Sequence, residues 1–96
     1  MVFDLSEVTG LGPYEKKPEK TRTLYLVNDK VFLVENKNTL ELRSDEKLIN
    51  LLVEKYESVM HSRYFGRAGL EIVRSSQLTN EDLADLIRLS YHLTSS

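Results

Sequence analysis

The final twenty residues, 77–96, carry the strongest structural signal in the chain. Thr79 is a natural helix N-cap, and Asp82 lies three residues on, in the capping-box position. Beyond this cap, apolar and small residues recur at helical spacing: Leu83, Leu86, Ile87, Ser90 and Tyr91. Such a stripe must be covered by another element. We therefore expect the chain to end in a helix that packs on a β-sheet.

The preceding residues predict that sheet. Three short runs rich in β-branched, aromatic and leucine residues, 23–27, 30–35 and 39–43, predict a three-stranded meander. Asn28 and Asp29 separate the first two runs, and both tolerate the positive φ that a tight hairpin turn requires. In the third run, Leu40 and Leu42 alternate with polar residues, which is typical of a strand with one buried face.

A helix, a fourth strand and the final helix complete the predicted order. Ser44 is the predicted N-cap of a helix from Asp45 to about Ser58, and residues 69–74 are predicted to form a strand. The order β-β-β-α-β-α predicts an α+β fold, specifically a two-layer sandwich. Its antiparallel sheet would contain the meander and the fourth strand, with two helices.

Residues 1–22 lack a sustained period of either kind. Pro13 and Pro18 interrupt them, and residues 14–22 are highly charged. We expect a poorly structured leader, or an arm whose apolar residues dock on the core or on a partner, followed by a single α+β domain over 23–96. The apolar residues of such an arm are Phe3, Leu5 and Val8.

Composition limits the classes of function. The chain has no cysteine, which excludes disulfides, thiolate metal sites and a thiol nucleophile. No apolar run reaches the roughly 18 residues of a membrane span, and no signal-peptide core follows Met1. We expect a cytoplasmic protein that does not associate with a membrane. The formal net charge of −2 means that a nucleic-acid binder would have to segregate its basic residues on one face.

The loop at 61–69 is the best candidate for a functional surface. Arg63 and Arg67, with Arg74 beyond the loop, are suited to contact phosphates, while Tyr64 could stack on a base. The structural alternative is that Tyr64 anchors the loop on the core and the arginines are solvated. The candidate anion or nucleic-acid surface therefore comprises Arg63, Tyr64, Arg67 and Arg74.

A second basic segment precedes the meander. Its cations are Lys16, Lys17, Lys20 and Arg22. Glu15 and Glu19 interleave with them, which favours a solvated segment over a basic arm that becomes ordered on an acidic partner.

Neither catalysis nor a metal site is predicted. Ser90, Tyr91 and His92 are adjacent, and successive side chains on a helix point about 100° apart, so they cannot converge on one substrate. Acidic residues near 81–85 fit helix capping and the helix dipole better than cation binding. We expect no catalytic residue, no metal and no cofactor, and we predict that the protein is not an enzyme.

Several of these segments together resemble the YjbR/MmcQ-like family of small bacterial and archaeal proteins. They are Asp29–Phe32, Leu52–Tyr56, Arg63–Phe65 and Leu83–Tyr91, within about residues 29–94. The resemblance implies a fold that has been compared with double-wing DNA-binding domains, and the family is often labelled predicted DNA-binding by fold analogy. Two features depart from the family: residues 1–22 lack its usual initial helix, and Leu70 occupies the place of a common Trp.

The sequence thus predicts a small non-enzymatic binding or interaction domain that resembles YjbR-like proteins, with nucleic acid as the most specific ligand. The alternative is a protein–protein interaction or homodimerisation module without nucleic-acid binding. That alternative requires an exposed apolar patch, for which Phe32 with Val34, or Phe3 with Leu5, are the candidates.

Overall fold

The computed structural model describes residues 11–73 and 78–96, which fold into a six-stranded antiparallel sheet and two helices. The strands are β1 Glu15–Pro18, β2 Arg22–Val27, β3 Lys30–Asn36, β4 Thr39–Arg43, β5 Val59–Ser62 and β6 Gly66–Val73. The helices are α1 Glu46–Lys55 and α2 Asn80–Ser95. The strand order across the sheet is β1-β2-β3-β4-β6-β5. The predicted α+β class is confirmed, whereas the predicted number of strands is wrong.

The two additional strands are the edges of the sheet. β1 lies within the segment 1–22, where the sequence predicts no sustained period, and it pairs with β2. Its charged residues and Pro18 are typical of an edge strand, which needs ladder hydrogen bonds on one side only. β5 has four residues, too few for a periodic signal, and it pairs with β6. It begins at Val59, so α1 ends at Lys55 rather than near Ser58.

The β2–β3 hairpin has the predicted turn and an irregularity that the sequence does not predict. Asn28 and Asp29 adopt φ angles of 52° and 62°. The register pairs Tyr25 with Leu33 and Leu26 with Val31, which leaves Phe32 as the extra residue of a β-bulge. Phe32 is fully buried in the main core.

The two faces of the sheet differ. α1 packs on β5 and β6, and α2 packs mainly on β3 and β4, with further contacts to β2. Leu40, Leu42, Leu70 and Ile72 point toward these helices and are fully buried. The register places another row on the opposite side: Lys17, Leu24, Val34, Glu41, Glu71 and Met60. We call this side the open face because neither helix packs on it; its outer residues Lys17 and Met60 are exposed, whereas the four between them are buried. The apolar patch expected on Phe32 and Val34 is not exposed, because both side chains are fully buried.

Ser90 attaches α2 to the centre of the sheet. Its buried hydroxyl donates to the Phe32 carbonyl at 2.6 Å and accepts from the Arg43 N–H at 2.8 Å. The neighbouring Tyr91 packs edge-on against the Phe32 ring, with centroids 5.2 Å apart, and its hydroxyl donates to the Pro13 carbonyl at 2.8 Å. The Ser–Tyr pair therefore serves packing, and α2 also holds the segment before β1.

The N-cap predicted for α2 is confirmed, and the N-cap predicted for α1 is wrong. α2 has the predicted capping box between Thr79 and Asp82. α1 is capped by Asp45 rather than by Ser44, because the Asp45 carboxylate accepts the Leu48 N–H at 2.9 Å. Ser44 lies one residue earlier and is buried, and its hydroxyl has no hydrogen-bond partner among residues 11–73 and 78–96.

Candidate anion-binding groove on the open sheet face

Two glutamates lie side by side on the open face. Glu41 of β4 and Glu71 of β6 are direct cross-strand partners, and each is only 3% exposed. A buried carboxylate is costly unless its oxygens accept hydrogen bonds. The donors that meet this cost come from β3, β4 and the segment 62–65, which runs from the last residue of β5 to the residue before β6 and which we call the 62–65 loop.

Arg63 pairs with Glu71 through two parallel hydrogen bonds. Nε donates to Oε1 at 3.0 Å and Nη2 donates to Oε2 at 2.8 Å, while the Thr39 hydroxyl donates to Oε2 at 3.0 Å. Burial alone would raise the pKa of Glu71, but the hydrogen bonds from Arg63 and Thr39 and the Arg63 charge outweigh it, so the pKa lies below its usual value. The Arg63 side chain is nevertheless 76% exposed. Its guanidinium is thus both fixed in position and open to a ligand.

Glu41 fixes the rest of the 62–65 loop. Its Oε1 accepts from the Ser62 hydroxyl at 2.8 Å and from the Tyr64 N–H at 2.9 Å, and its Oε2 accepts from the Asn36 amide at 2.8 Å. The Ser62 hydroxyl in turn accepts the Phe65 N–H at 2.9 Å. One buried carboxylate therefore orders both the backbone and the side chains of the loop.

Gly69 permits the loop to lie close to the sheet. A Cβ at this position would lie 2.6 Å from the Leu42 carbonyl oxygen and 2.6 Å from the Phe65 Cβ. Phe65 also packs edge-on against Tyr64, with ring centroids 4.9 Å apart. The glycine thus serves close packing beneath the loop.

A groove runs between the 62–65 loop and the turn before β2, and encloses about 630 Å³. It is lined by Glu19, Lys20, Thr21, Arg22, Asn36, Glu41, Arg63 and Tyr64. The Arg22 guanidinium lies over the Tyr64 ring, 5.3 Å from its centroid, and Arg22 Nε donates to Glu19 at 2.8 Å. The groove therefore offers guanidinium, ammonium and phenol groups beside carboxylates that already accept hydrogen bonds.

The structure brings together only part of the predicted surface. Arg63 and Tyr64 share this groove, and Lys20 and Arg22 from the second basic segment join them. Arg67 instead lines a separate groove with Ser44, Glu46, Asn50 and His61. Arg74 lies outside the described residues. Arg67 therefore lines a different groove from Arg63 and Tyr64, and its contribution to a common anion-binding surface stays a prediction.

The residues that hold the site together are not among those predicted from the sequence. Glu41, Glu71, Asn36 and Thr39 form the supporting network. A signal was present for Glu71, since a carboxylate between Leu70 and Ile72 in a strand must either face solvent or find donors. The described residues contain no group of three or more side chains suited to bind a metal ion. Within the same ranges, no helix is long and apolar enough to cross a membrane.

Comparison with known proteins shows the fold. No protein-family model matches the sequence, and no curated protein does. The structure is similar to the crystal structure of a protein from Pseudomonas syringae, with a TM-score of 0.72 and 15% sequence identity. The similarity covers 84% of this chain and 86% of that chain. At this level of identity, the similarity shows that the two chains share a fold and nothing further.

Proposed function

We propose that this protein is a non-enzymatic binding domain that recognises nucleic acid through the groove on its open face. The observation that carries the proposal is the placement of the Arg22–Tyr64 stack beside Arg63, all lining one groove. Proteins that bind single-stranded nucleic acid combine basic side chains with aromatic or guanidinium planes on which bases stack. The resemblance to YjbR/MmcQ-like proteins favours the same class of ligand.

Arg63 is suited to contact a phosphate. Its Nε and Nη2 atoms are engaged by Glu71, and Nη1 donates to none of the described residues. A guanidinium held in this way loses little side-chain entropy when it binds an anion, because its position is already fixed. Lys20 lies in the same groove and forms no ion pair within the described ranges.

Charge balance in the groove limits the expected affinity. Glu71 balances Arg63 and Glu19 balances Arg22, and the whole chain has a net charge of −2. Recognition would therefore depend on short-range contacts rather than on long-range attraction. With three phosphate contacts to a single strand, the logarithm of affinity should fall with the logarithm of salt concentration with a slope of about −2.

A binding rather than catalytic role is proposed because the two buried carboxylates are engaged by hydrogen bonds. Both Glu41 oxygens and both Glu71 oxygens accept them from described residues. A general base needs a carboxylate oxygen that can reach a substrate proton. The cytoplasmic location expected from the sequence stays a prediction.

Fluorescence anisotropy with short labelled single-stranded and duplex DNA, at about 20 mM and about 150 mM salt, tests the proposal. Tyr64→Ala should weaken binding about fivefold or more, since a stacked aromatic contributes roughly 1–3 kcal/mol per base. Arg67→Ala is the matched control, because Arg67 lines the other groove. No binding by the unmodified protein at low salt, or an equal loss in the control, would overturn the proposal.

A further inference from the structure

A second surface lies on the opposite side of the sheet, between the two helices. A groove of about 360 Å³ separates α1 from α2. It is lined by Leu48, Leu52, Tyr56, Leu78, Asp82, Asp85, Leu86 and Leu89. Apart from the two aspartates and the Tyr56 hydroxyl, every side chain of this lining is apolar. We call it the helical groove.

The apolar surface continues outside the helical groove on both helices. Leu51 of α1 is 59% exposed, which makes it the most exposed large hydrophobic side chain in the described part of the chain. It lies three residues after Leu48, so the two share one side of the helix. On α2, the exposed Leu93 follows the groove residue Leu89 by four positions. Exposed leucines that neighbour groove-lining leucines on both helices mark this side of the domain as a candidate interaction site.

Charges flank both parts of this surface in a complementary arrangement. Lys47 and Lys55 lie four residues before and after Leu51, and Glu54 lies three residues after it; all three are exposed, so the charge that flanks Leu51 is positive by one. Asp82 and Asp85 line the helical groove, and both are exposed. A leucine between two lysines therefore lies on the same side of the molecule as a leucine-lined groove that carries two aspartates.

We propose that the helical groove binds a second copy of this chain, with Leu51 of each protomer inserted into the groove of its partner. A twofold-symmetric interface requires that one surface contains both a projecting group and its complement. Each chain supplies a projecting leucine, Leu51, and a leucine-lined groove that could accept it. The charges also match, since Lys47 and Lys55 of one protomer would face Asp82 and Asp85 of the other. This dimer leaves the open face accessible, so it is independent of the proposed nucleic-acid groove.

The existing contacts of the two aspartates are compatible with this interface. Asp82 accepts the Thr79 N–H at 3.3 Å as part of the helix cap, and Asp85 accepts from Arg88 at 2.8 Å. The Asp85–Arg88 pair is exposed and contributes little to the stability of the fold. A lysine from the partner protomer can therefore approach Asp85 at small cost.

Sedimentation velocity of the full chain over increasing concentration tests the dimer. The unmodified protein should shift from monomer to dimer below about 1 mM, and Leu51→Lys should weaken association at least tenfold. Met60→Lys is the matched control, because Met60 is an exposed hydrophobic residue on the open face. Circular dichroism verifies that each variant is folded.

A charge reversal makes the test specific. The double variant Lys47→Glu with Lys55→Glu, and separately Asp85→Lys, should each associate poorly with themselves because like charges meet in the interface. An equimolar mixture of the two variants should form a heterodimer more readily than either variant forms a homodimer, since one of its contacts keeps Lys47 and Lys55 against Asp82 and Asp85 and the other sets the new glutamates against the lysine introduced by Asp85→Lys. A strictly monomeric unmodified protein, dimerisation that Leu51→Lys leaves unchanged, or a mixture that stays monomeric would each overturn the proposal.

Discussion

Glu41 and Glu71 on the open face are buried carboxylates, and removing a charged carboxylate from water costs free energy. Replacing such buried charged groups by well-packed apolar residues is often neutral or stabilising, so their burial is weak evidence of a contribution to stability. Glu41 and Glu71 instead hold neighbouring groups in position. Glu41 orders the backbone of the 62–65 loop, and Glu71 aligns the guanidinium of Arg63. We interpret their burial as the means by which the fold presents Arg63 and Tyr64 in fixed positions.

Glu71→Gln should lower the free energy of unfolding at pH 7 by about 1–3 kcal/mol, since a hydrogen-bonded charge is lost. The folded-state pKa of Glu71 lies below its unfolded value. Its contribution is therefore fully present above the unfolded pKa, near 4, and is lost as the pH falls through the folded-state pKa. Urea denaturation should show that the difference from the unmodified protein narrows at about pH 3.

Glu19→Gln is the control for this prediction. Glu19 pairs with Arg22 at the surface, and exposed pairs contribute little. A loss in Glu71→Gln that is as large at about pH 3 as at pH 7 would contradict the assigned role of the Arg63–Glu71 pair.

At the scale of elements, α2 is joined to the sheet by packing and by one polar contact. The hydroxyl of Ser90 bridges the Phe32 carbonyl of β3 and the Arg43 N–H of β4. Phe32 reaches this helix because the β-bulge leaves it unpaired in the register with β2. The Thr94 hydroxyl on the same helix is also buried, but it has no hydrogen-bond partner in the described part of the chain.

Ser90→Ala should lower the free energy of unfolding by about 1–3 kcal/mol, because a buried N–H and a buried carbonyl lose their partner. Thr94→Val replaces an unpartnered buried hydroxyl with a methyl group of similar size, so it should leave stability unchanged or raise it. Thermal unfolding of the two variants under identical conditions provides the measurement. Equal destabilisation by both would show that packing volume, and not the Ser90 hydrogen bonds, holds α2 on the sheet.

The molecule as a whole presents two surfaces on opposite sides of one sheet. The open face carries the polar groove with Arg22, Arg63 and Tyr64, while the helical side carries the apolar groove with Leu51 beside it. Between them lies a core formed mainly by the central strands and the two helices. The two proposed functions therefore do not compete for the same residues.

Hydrogen exchange should reveal a gradient of stability across the sheet. Amides of β3 and β4, which have strands on both sides and whose central side chains are buried, should exchange most slowly. Amides of the edge strand β1, whose four residues are all exposed, should exchange fastest among the strands. Protection of β1 equal to that of β3 would indicate that the edge is covered in solution.

The features that can be predicted from the sequence are those that depend on contacts between neighbouring residues. The Thr79–Asp82 cap, the Asn28–Asp29 turn and the apolar stripe of α2 each result from contacts within a few positions. Their physical causes are local backbone sterics and local hydrogen bonds, which a linear pattern records. The α+β class followed from these elements.

The features that cannot be predicted from the sequence are those that depend on the register of the strands. Glu41 and Glu71 are thirty positions apart in the numbering, and cross-strand pairing makes them neighbours. The fold also brings Arg22 and Arg63 into one groove and places Arg67 in another. The edge strand β1 likewise depends on a partner strand, because its charged residues have no apolar pattern of their own. Such long-range contacts are set by the register of the whole sheet, and no short segment of sequence records them.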